Sequence, residues 1–168
     1  MNEQANAQTT GQHGIVASLD RGFARLHFCS CEIIGNTPAA LLYESGAPGS
    51  RTRSVGEGVL RCAATIEQTF GGITARLWDD PFEWTLPEYL STPAKVLDHL
   101  AEVEATRQRA FSSITDDSCL LKQVATPARE TPLVELLIET LVRAAYFQSE
   151  AAATLKNLSG IDSPGFII

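Results

Sequence analysis

SVGEGVLRCAATIEQTFGGITARLWDDPFEWTLPE, residues 54–88, joins a helical pattern to an aromatic segment bounded by prolines. Its apolar residues recur at intervals of three, four and seven positions, which places them on one face of an α-helix. Ser54 and Glu57 have the S-x-x-E spacing of a capping box, and Pro81 disfavours helical geometry just before it. The sequence therefore predicts an amphipathic helix over residues 55–77 that packs against partner helices. Its apolar face consists of Val55, Val59, Cys62, Ile66, Ile73 and Leu77.

Two further features of this stretch have alternative interpretations. Gly71 and Gly72 each cost about 1 kcal/mol relative to alanine within a helix, which predicts a kink, or else close packing against another backbone. The segment after the helix holds both tryptophans of the chain, Trp78 and Trp84. We predict that this segment packs over the end of the helical core, and the alternative is direct stacking on a ligand.

Three other segments have the same helical spacing, and the first covers residues 14–34. The next begins at Pro93 after a Thr92 cap, because proline suits the first helical position. The last begins in the same way at Pro132 after a Thr131 cap and ends near residue 160. The apolar faces of these three helices consist of Ile15, Leu19, Phe23, Leu26 and Ile33, then Val96, Leu97, Leu100, Val103, Ala110, Phe111 and Ile114, then Leu133, Val134, Leu137, Ile138, Leu141, Ala145, Ala152 and Leu155.

Four long helices without alternating strand patterns predict an all-α fold, an antiparallel four-helix bundle. The chain of 168 residues suits one domain. We place the bundle at residues 14–160, a disordered N-terminal tail at residues 1–13 and a C-terminal tail at residues 161–168.

Composition excludes several classes of partner. A net charge of −7 argues against nucleic acid and anionic membranes, which attract clustered Lys and Arg. No apolar run approaches the roughly 20 residues of a membrane span. The N-terminus lacks the basic start and apolar centre of a secretory signal, so a cytoplasmic protein is expected. The four cysteines have no metal-binding spacing and are expected to be buried free thiols: Cys29, Cys31, Cys62 and Cys119.

The nearest local match to a metal site in a helix bundle is the group Asp98, His99 and Glu102. His99 and Glu102 share one helix face at a separation of three residues. Leu100 and Val103, however, define the core side of the same helix. The group is therefore interpreted as a solvated flank, with a metal site as the weaker alternative.

Gln148 is a polar residue on the apolar face of the last helix. Counting in sevens from Val134 through Leu141 reaches it, and Tyr146 and Glu150 lie beside it. A buried amide needs hydrogen-bond partners. Gln148 is therefore expected either to make a structural hydrogen bond or to face a cavity.

Several segments together resemble the DinB/YfiT-like superfamily of helical metalloenzymes. They are the pattern Ile15-x3-Leu19-x3-Phe23-x2-Leu26, the segments Ser54-Val55-Gly56-Glu57 and Leu60-Arg61-Cys62-Ala63, and the segment Leu141-Val142-Arg143-Ala144-Ala145-Tyr146. The similarity covers residues 14–160. It implies a four-helix bundle with a cleft, commonly dimeric, in which three histidines hold a divalent metal.

This chain departs from that pattern at the metal site. Arg61 stands at the matching position of the second helix, and Ala144 and Gln148 stand at those of the last helix. None of the three is histidine. Because the thiol-dependent transferases of this superfamily need the metal, the departure argues against that activity and predicts a degenerate site.

Three hypotheses for function result. The first is a module that binds a small molecule or a partner in a cleft near Glu57, Arg61, Tyr146 and Gln148, with no cofactor. The second is a divalent-metal-dependent transferase or hydrolase whose site is rebuilt from Glu57, Asp98, His99, Glu102 or Gln148, a carboxylate-rich set that favours Mn²⁺ or Mg²⁺. The third is a structural dimer without a polar cavity. The resemblance implies a homodimer.

Overall fold

The computed structural model describes residues 14–44, 53–83 and 88–162, except the side chain of Glu83. Within these ranges the chain is mostly helical, which confirms the all-α prediction. The tail at residues 1–13, most of the C-terminal tail, and Trp84 lie outside the described residues. The four long helices are α1 (Gly14–Gly35), α2 (Val55–Ala75), α3 (Pro93–Ser112) and α4 (Leu133–Ser159), with 3₁₀ turns at Ala39–Leu41, Pro81–Glu83 and Asp117–Leu121.

Two of the predicted helix starts are confirmed by their capping bonds. The Ser54 hydroxyl accepts from the N–H of Glu57 at 3.2 Å, and the Glu57 carboxylate accepts from the N–H of Ser54 at 3.0 Å. At α3, the Thr92 hydroxyl accepts from the N–H of Lys95 at 3.3 Å, and Pro93 is the first helical residue. Both signals could be read from the sequence because a cap acts within one turn.

Helix α2 ends earlier than predicted, and Pro81 does not end it. Arg76 adopts a left-handed conformation with φ of 58°, and its N–H bonds to the carbonyls of Gly71 and Gly72. These bonds satisfy carbonyls of the last turn and turn the chain away from the helix axis. Leu77, predicted on the apolar face, is consequently 61% exposed.

The start of α4 also differs from the prediction. Thr131 does not cap the helix but belongs to a short antiparallel hairpin, in which it pairs with Val124. The hairpin consists of β1 (Gln123–Ala125) and β2 (Glu130–Pro132), and α4 starts directly after it at Leu133. Strands of three residues are too short to show an alternating pattern, so no sequence signal predicts them.

The directions of the helices can be deduced from the residues that meet. Helix α1 runs opposite to α2, since Phe23 meets Phe70 and Ser30 meets Cys62. It also runs opposite to α3, because Asp20 pairs with Arg107 while the N–H of Val16 reaches Asp117 beyond the end of α3.

Helix α4 runs opposite to α2 but parallel to α1. Gly58 of α2 meets Ala151 while Thr69 meets Thr140, whereas Gly22 of α1 meets Leu141 and Ser30 meets Gln148. The predicted antiparallel arrangement therefore holds for α1 with α2 and α3, and for α2 with α4. Helices α1 and α4 lie parallel. The consecutive helices α2 and α3 also lie parallel, because the long connection between them, residues 76–92, does not form a tight helical hairpin.

Three phenylalanines form the centre of the core. The rings of Phe23, Phe70 and Phe111 lie with centroids 5.2 to 5.7 Å apart, in edge-on and tilted arrangements that aromatic pairs prefer. Besides Leu77, two residues predicted on apolar faces are exposed instead, Ile15 at 54% and Ile138 at 49%. Each lies just beside a buried residue of its helix. The buried face of the helix is therefore slightly rotated about the helix axis relative to the predicted apolar face. Among the described helices none combines the length and apolar character needed to cross a membrane.

Glycines permit close approaches to α2, among them those at positions 58 and 72. The Cβ of any residue at position 58 would lie 2.9 Å from the Cβ of Ala151 and 3.2 Å from the carbonyl oxygen of Phe147, so α2 and α4 almost touch there. At Gly72, the added Cβ would lie 2.5 Å from Cδ2 of Trp78. Helix α2 continues through both of its predicted kink residues. The close contact at Gly72 is with an indole ring, whereas a Cβ at position 71 would lie 3.3 Å from the backbone carbonyl oxygen of Leu77, as the packing alternative expected.

The close packing at Gly58 is expected to make the stability of the bundle sensitive to any larger side chain at that position. Replacing Gly58 with leucine should lower the free energy of unfolding by about 1 to 3 kcal/mol, since the side chain must push α4 away. Urea denaturation followed by circular dichroism measures this change. The matched control is Gly14→Leu, because a Cβ at position 14 has no neighbour within 4 Å among the described residues. Equal stability of the two variants would contradict the close packing.

Candidate functional site

The four residues predicted to line a cleft do not share one site. Glu57 is half-buried, and its carboxylate accepts from Ser54 in the capping box. Tyr146 is 62% exposed, with its ring against that of Phe147. Gln148 is buried, and Arg61 borders a hollow on the surface between α2 and α4. Of the four, only Arg61 lies at this hollow.

Gln148 makes the structural hydrogen bond that was one of its two interpretations. Its amide nitrogen donates to the carbonyl of Leu26 at 2.7 Å and to the hydroxyl of Ser30 at 2.9 Å. The side chain is 1% exposed, and its amide oxygen has no hydrogen-bond partner among the described residues. The amide therefore ties α4 to α1 inside the core. Among the residues matched to the superfamily's histidines, Ala144 is also buried.

The weaker metal candidates are only partly brought together. Asp98 and Glu102 are exposed, whereas His99 is half-buried. The carboxylate that approaches His99 comes from α2, where Oε2 of Glu67 lies 3.9 Å from Nε2 of His99. Both atoms are buried and have no hydrogen-bond partner within the described ranges. Glu67 could not be found from local spacing, because it lies on another helix.

This pair borders a groove of about 810 Å³ between α2 and α3, which Glu102 also lines. In the part of the chain that the structure describes, no three His, Cys, Asp or Glu side chains are arranged to hold a metal ion. A closed zinc site needs four ligands, and catalytic zinc sites use three from the protein. Glu67 and His99 thus supply two metal-binding side chains, fewer than the three or four that a zinc site takes from the protein.

We define the arginine cleft as two adjoining hollows between α2 and α4 that share Gln68 and Arg143. The smaller hollow, of about 30 Å³, is also lined by Arg61, Ala64, Thr65, Asp80, Phe82 and Phe147. The larger hollow, of about 260 Å³, is also lined by Thr69, Trp78, Thr126, Pro127, Ala128, Arg129, Thr131, Leu136, Glu139 and Thr140. The side of α4 that borders the cleft therefore presents Arg143 and Phe147, whereas Tyr146 points away to solvent.

Two arginines of the arginine cleft form no ion pair within the described residues, although Asp80 and Glu139 also line its hollows. Among the described residues, neither Arg61 nor Arg143 forms an ion pair within 4.0 Å. The guanidinium of Arg61 stacks over the ring of Phe82 at 3.9 Å from its centroid. Asp80, whose side chain also lines the smaller hollow, accepts from the N–H of Phe82 at 3.0 Å. An aromatic ring and not a carboxylate thus fixes the position of Arg61.

Arg107, in contrast, forms ion pairs with carboxylates inside the fold. It is 3% exposed, pairs with Asp20, and binds both carboxylate oxygens of Glu104 at 2.7 Å. Burial acts to raise the pKa of Glu104, but the hydrogen bonds and charge of Arg107 outweigh it and hold that pKa below its ordinary value of 4.5. This cluster ties α1 to α3.

Most of the cysteines are buried, as predicted. None of the four forms a disulfide bond within the described residues, and three of them, Cys29, Cys62 and Cys119, are buried. Burial raises the pKa of Cys62 to about 12, so its thiol is protonated at neutral pH. Cys31 is half-buried beside His27, and burial raises its pKa as well.

Comparison of the chain with protein-family models, with curated proteins and with solved structures finds no match. A function for this chain must therefore be argued from the geometry of its described residues.

The pairing of Glu104 predicts an acid-sensitive contribution to stability. Because its pKa is lowered in the folded protein, the stabilisation is present above its ordinary value of 4.5 and is lost as the pH falls through the folded value. Replacing Glu104 with glutamine should cost about 2 kcal/mol of unfolding free energy at pH 7 and much less at pH 3. Denaturation at both pH values measures the difference. Glu102→Gln, at an exposed position of α3, is the control, and a cost for Glu104→Gln that does not depend on pH would contradict the assignment.

Proposed function

We propose that this protein is a small-molecule-binding helical bundle of the DinB/YfiT-like type, in which the arginine cleft binds an anionic ligand. The observation that supports it best is the presence of Arg61 and Arg143 in one hollow without an ion-pair partner among the described residues. The resemblance places Arg61 where the superfamily has a metal-binding histidine. A cationic side chain there suits a protein that binds an anion directly.

Electrostatics favours an anion at this position. The chain has a net charge of −7, so two unpaired guanidinium groups in one hollow of the described structure form a local reversal of sign. Guanidinium groups bind carboxylates and phosphates through paired N–H donors. Stacking on Phe82 holds Arg61 before a ligand arrives, which reduces the entropy lost on binding.

The dimensions of the cleft favour a small ligand. The larger hollow, of about 260 Å³, lies just below the roughly 300 to 1,000 Å³ of typical small-molecule sites. Thr69 and Thr140 border it, but their hydroxyls bond to each other at 2.8 Å. Gln68 is likewise engaged, because its amide nitrogen donates to the carbonyl of Trp78 at 2.7 Å. Binding is therefore expected to depend mainly on charge.

Substitution of the two arginines tests this proposal. A panel of small organic acids and phosphates should contain compounds that raise the melting temperature of the protein, because they bind the folded state. Arg61→Gln and Arg143→Gln should each weaken binding about tenfold, the loss expected for a hydrogen bond to a charged group. Isothermal titration calorimetry measures the affinities. Arg25→Gln, at an exposed position of α1, is the control; an equal effect of that control, or no response to any anion, would refute the proposal.

We further propose that the protein forms a homodimer, as the resemblance implies. The support is an apolar stripe on α4, where Ile138, Val142 and Tyr146 are spaced four residues apart and are 49%, 64% and 62% exposed. Phe28 on the neighbouring helix α1 is 54% exposed. Apolar surface on one face of a helix is typical of an interface between subunits.

A charge placed in this stripe should dissociate the dimer. Val142→Glu is expected to halve the mass measured by light scattering and to leave the melting of the monomer nearly unchanged, because position 142 lies on the surface. Ile15→Glu, at another exposed apolar position, serves as the control. A wild-type protein that is monomeric at high micromolar concentration would rule out this interface.

A further inference from the structure

Trp78 is held in a fixed position at the edge of the arginine cleft. Its indole ring packs directly on the backbone of Gly72, where a Cβ would lie 2.5 Å from Cδ2 of the ring. Its carbonyl accepts from the amide nitrogen of Gln68 at 2.7 Å. The glycine is needed for this packing, because any larger residue would displace the ring.

The ring is not fully covered by this contact. Trp78 is half-buried, and it lines the larger hollow of the arginine cleft. The hairpin turn at residues 126–129 and residues of α4 form the other walls of that hollow. A half-buried tryptophan that borders a hollow offers aromatic surface on which a planar ligand can stack.

Arg143 lies between the proposed stacking surface at Trp78 and the positive charge of Arg61. It lines both hollows, whereas Arg61 lines only the smaller one and Trp78 only the larger one. An anionic group bound at Arg61 and Arg143 would therefore leave the rest of the ligand in the larger hollow, beside Trp78. The arrangement combines a guanidinium pair with an aromatic wall.

We propose that the arginine cleft selects aromatic carboxylates, with the carboxylate at Arg61 and Arg143 and the ring stacked on Trp78. This inference rests on the proposed function of an anion-binding cleft and names its ligand class. It assigns to Trp78 the stacking role that the sequence left as an alternative. Aromatic stacking adds affinity beyond the area that is buried, so an aromatic acid should bind about fivefold more tightly than a saturated acid of the same charge and similar size.

Benzoate and cyclohexanecarboxylate are suitable probes, because they share a carboxylate on a six-membered ring and differ in planarity and π-electrons. Both are titrated by calorimetry into the full-length chain with Trp84→Phe, in which Trp78 is the single remaining tryptophan. We expect benzoate to bind about fivefold more tightly and to change the fluorescence of Trp78. In a Trp78→Leu variant we expect that preference to disappear while cyclohexanecarboxylate keeps its affinity.

The outcomes separate this inference from the proposed function. If both acids bind with equal affinity, the cleft binds anions but the selection of aromatic rings is overturned. If neither acid nor any other anion binds, the proposed function fails as well. If Trp78→Leu does not fold, the affinity ratio of the two acids on the protein that retains Trp78 still decides the question.

Discussion

The close packing of α2 against α4 is the constraint on which the rest of the structure depends. At one end Gly58 brings the two backbones together at Ala151, and at the other end the hydroxyls of Thr69 and Thr140 share a buried hydrogen bond of 2.8 Å. The small side chains let the helices approach, and the hydrogen bond fixes how far along each other they lie. Because the arginine cleft lies between these helices, its width and its residues are set by the same contacts.

Two buried polar groups then fix the position of α1. Gln148 bonds α4 to the carbonyl of Leu26 and to Ser30, and Arg107 bonds α3 to Asp20. An apolar core alone would tolerate sliding or rotation of a helix. A buried donor that loses its partner costs about 1 to 3 kcal/mol, and more when it is charged, so these groups favour one arrangement. Their engagement inside the fold also explains why they are not the residues proposed for ligand binding.

The connection after α2 gives the cleft its chemistry. The left-handed residue Arg76 turns the chain back, so that Trp78 covers Gly72 and Phe82 lies under the guanidinium of Arg61. A segment that could have been only a linker thus supplies two aromatic contacts to the end of the bundle. The proposed preference for aromatic anions is a consequence of this placement, since one ring orients the charge and the other lines the adjoining hollow.

The amino-acid sequence by itself determined the four helices, two of their starts and most of the buried residues. Capping pairs such as Ser54 with Glu57, and the spacing of apolar residues along a helix, act within one or two turns and can therefore be predicted locally. The resemblance suggested Arg61 as a candidate residue, and Arg61 lines the arginine cleft, whereas the three residues predicted beside it do not. Gln148 was identified as unusual, but spacing could not tell which of its two interpretations was right. Only the tertiary structure decided which residues of different helices come together, as Arg61 and Arg143 do in lining one hollow. Such meetings depend on the rotation and direction of each helix, which short sequence patterns do not specify, because a shift of one residue turns a side chain by about 100°.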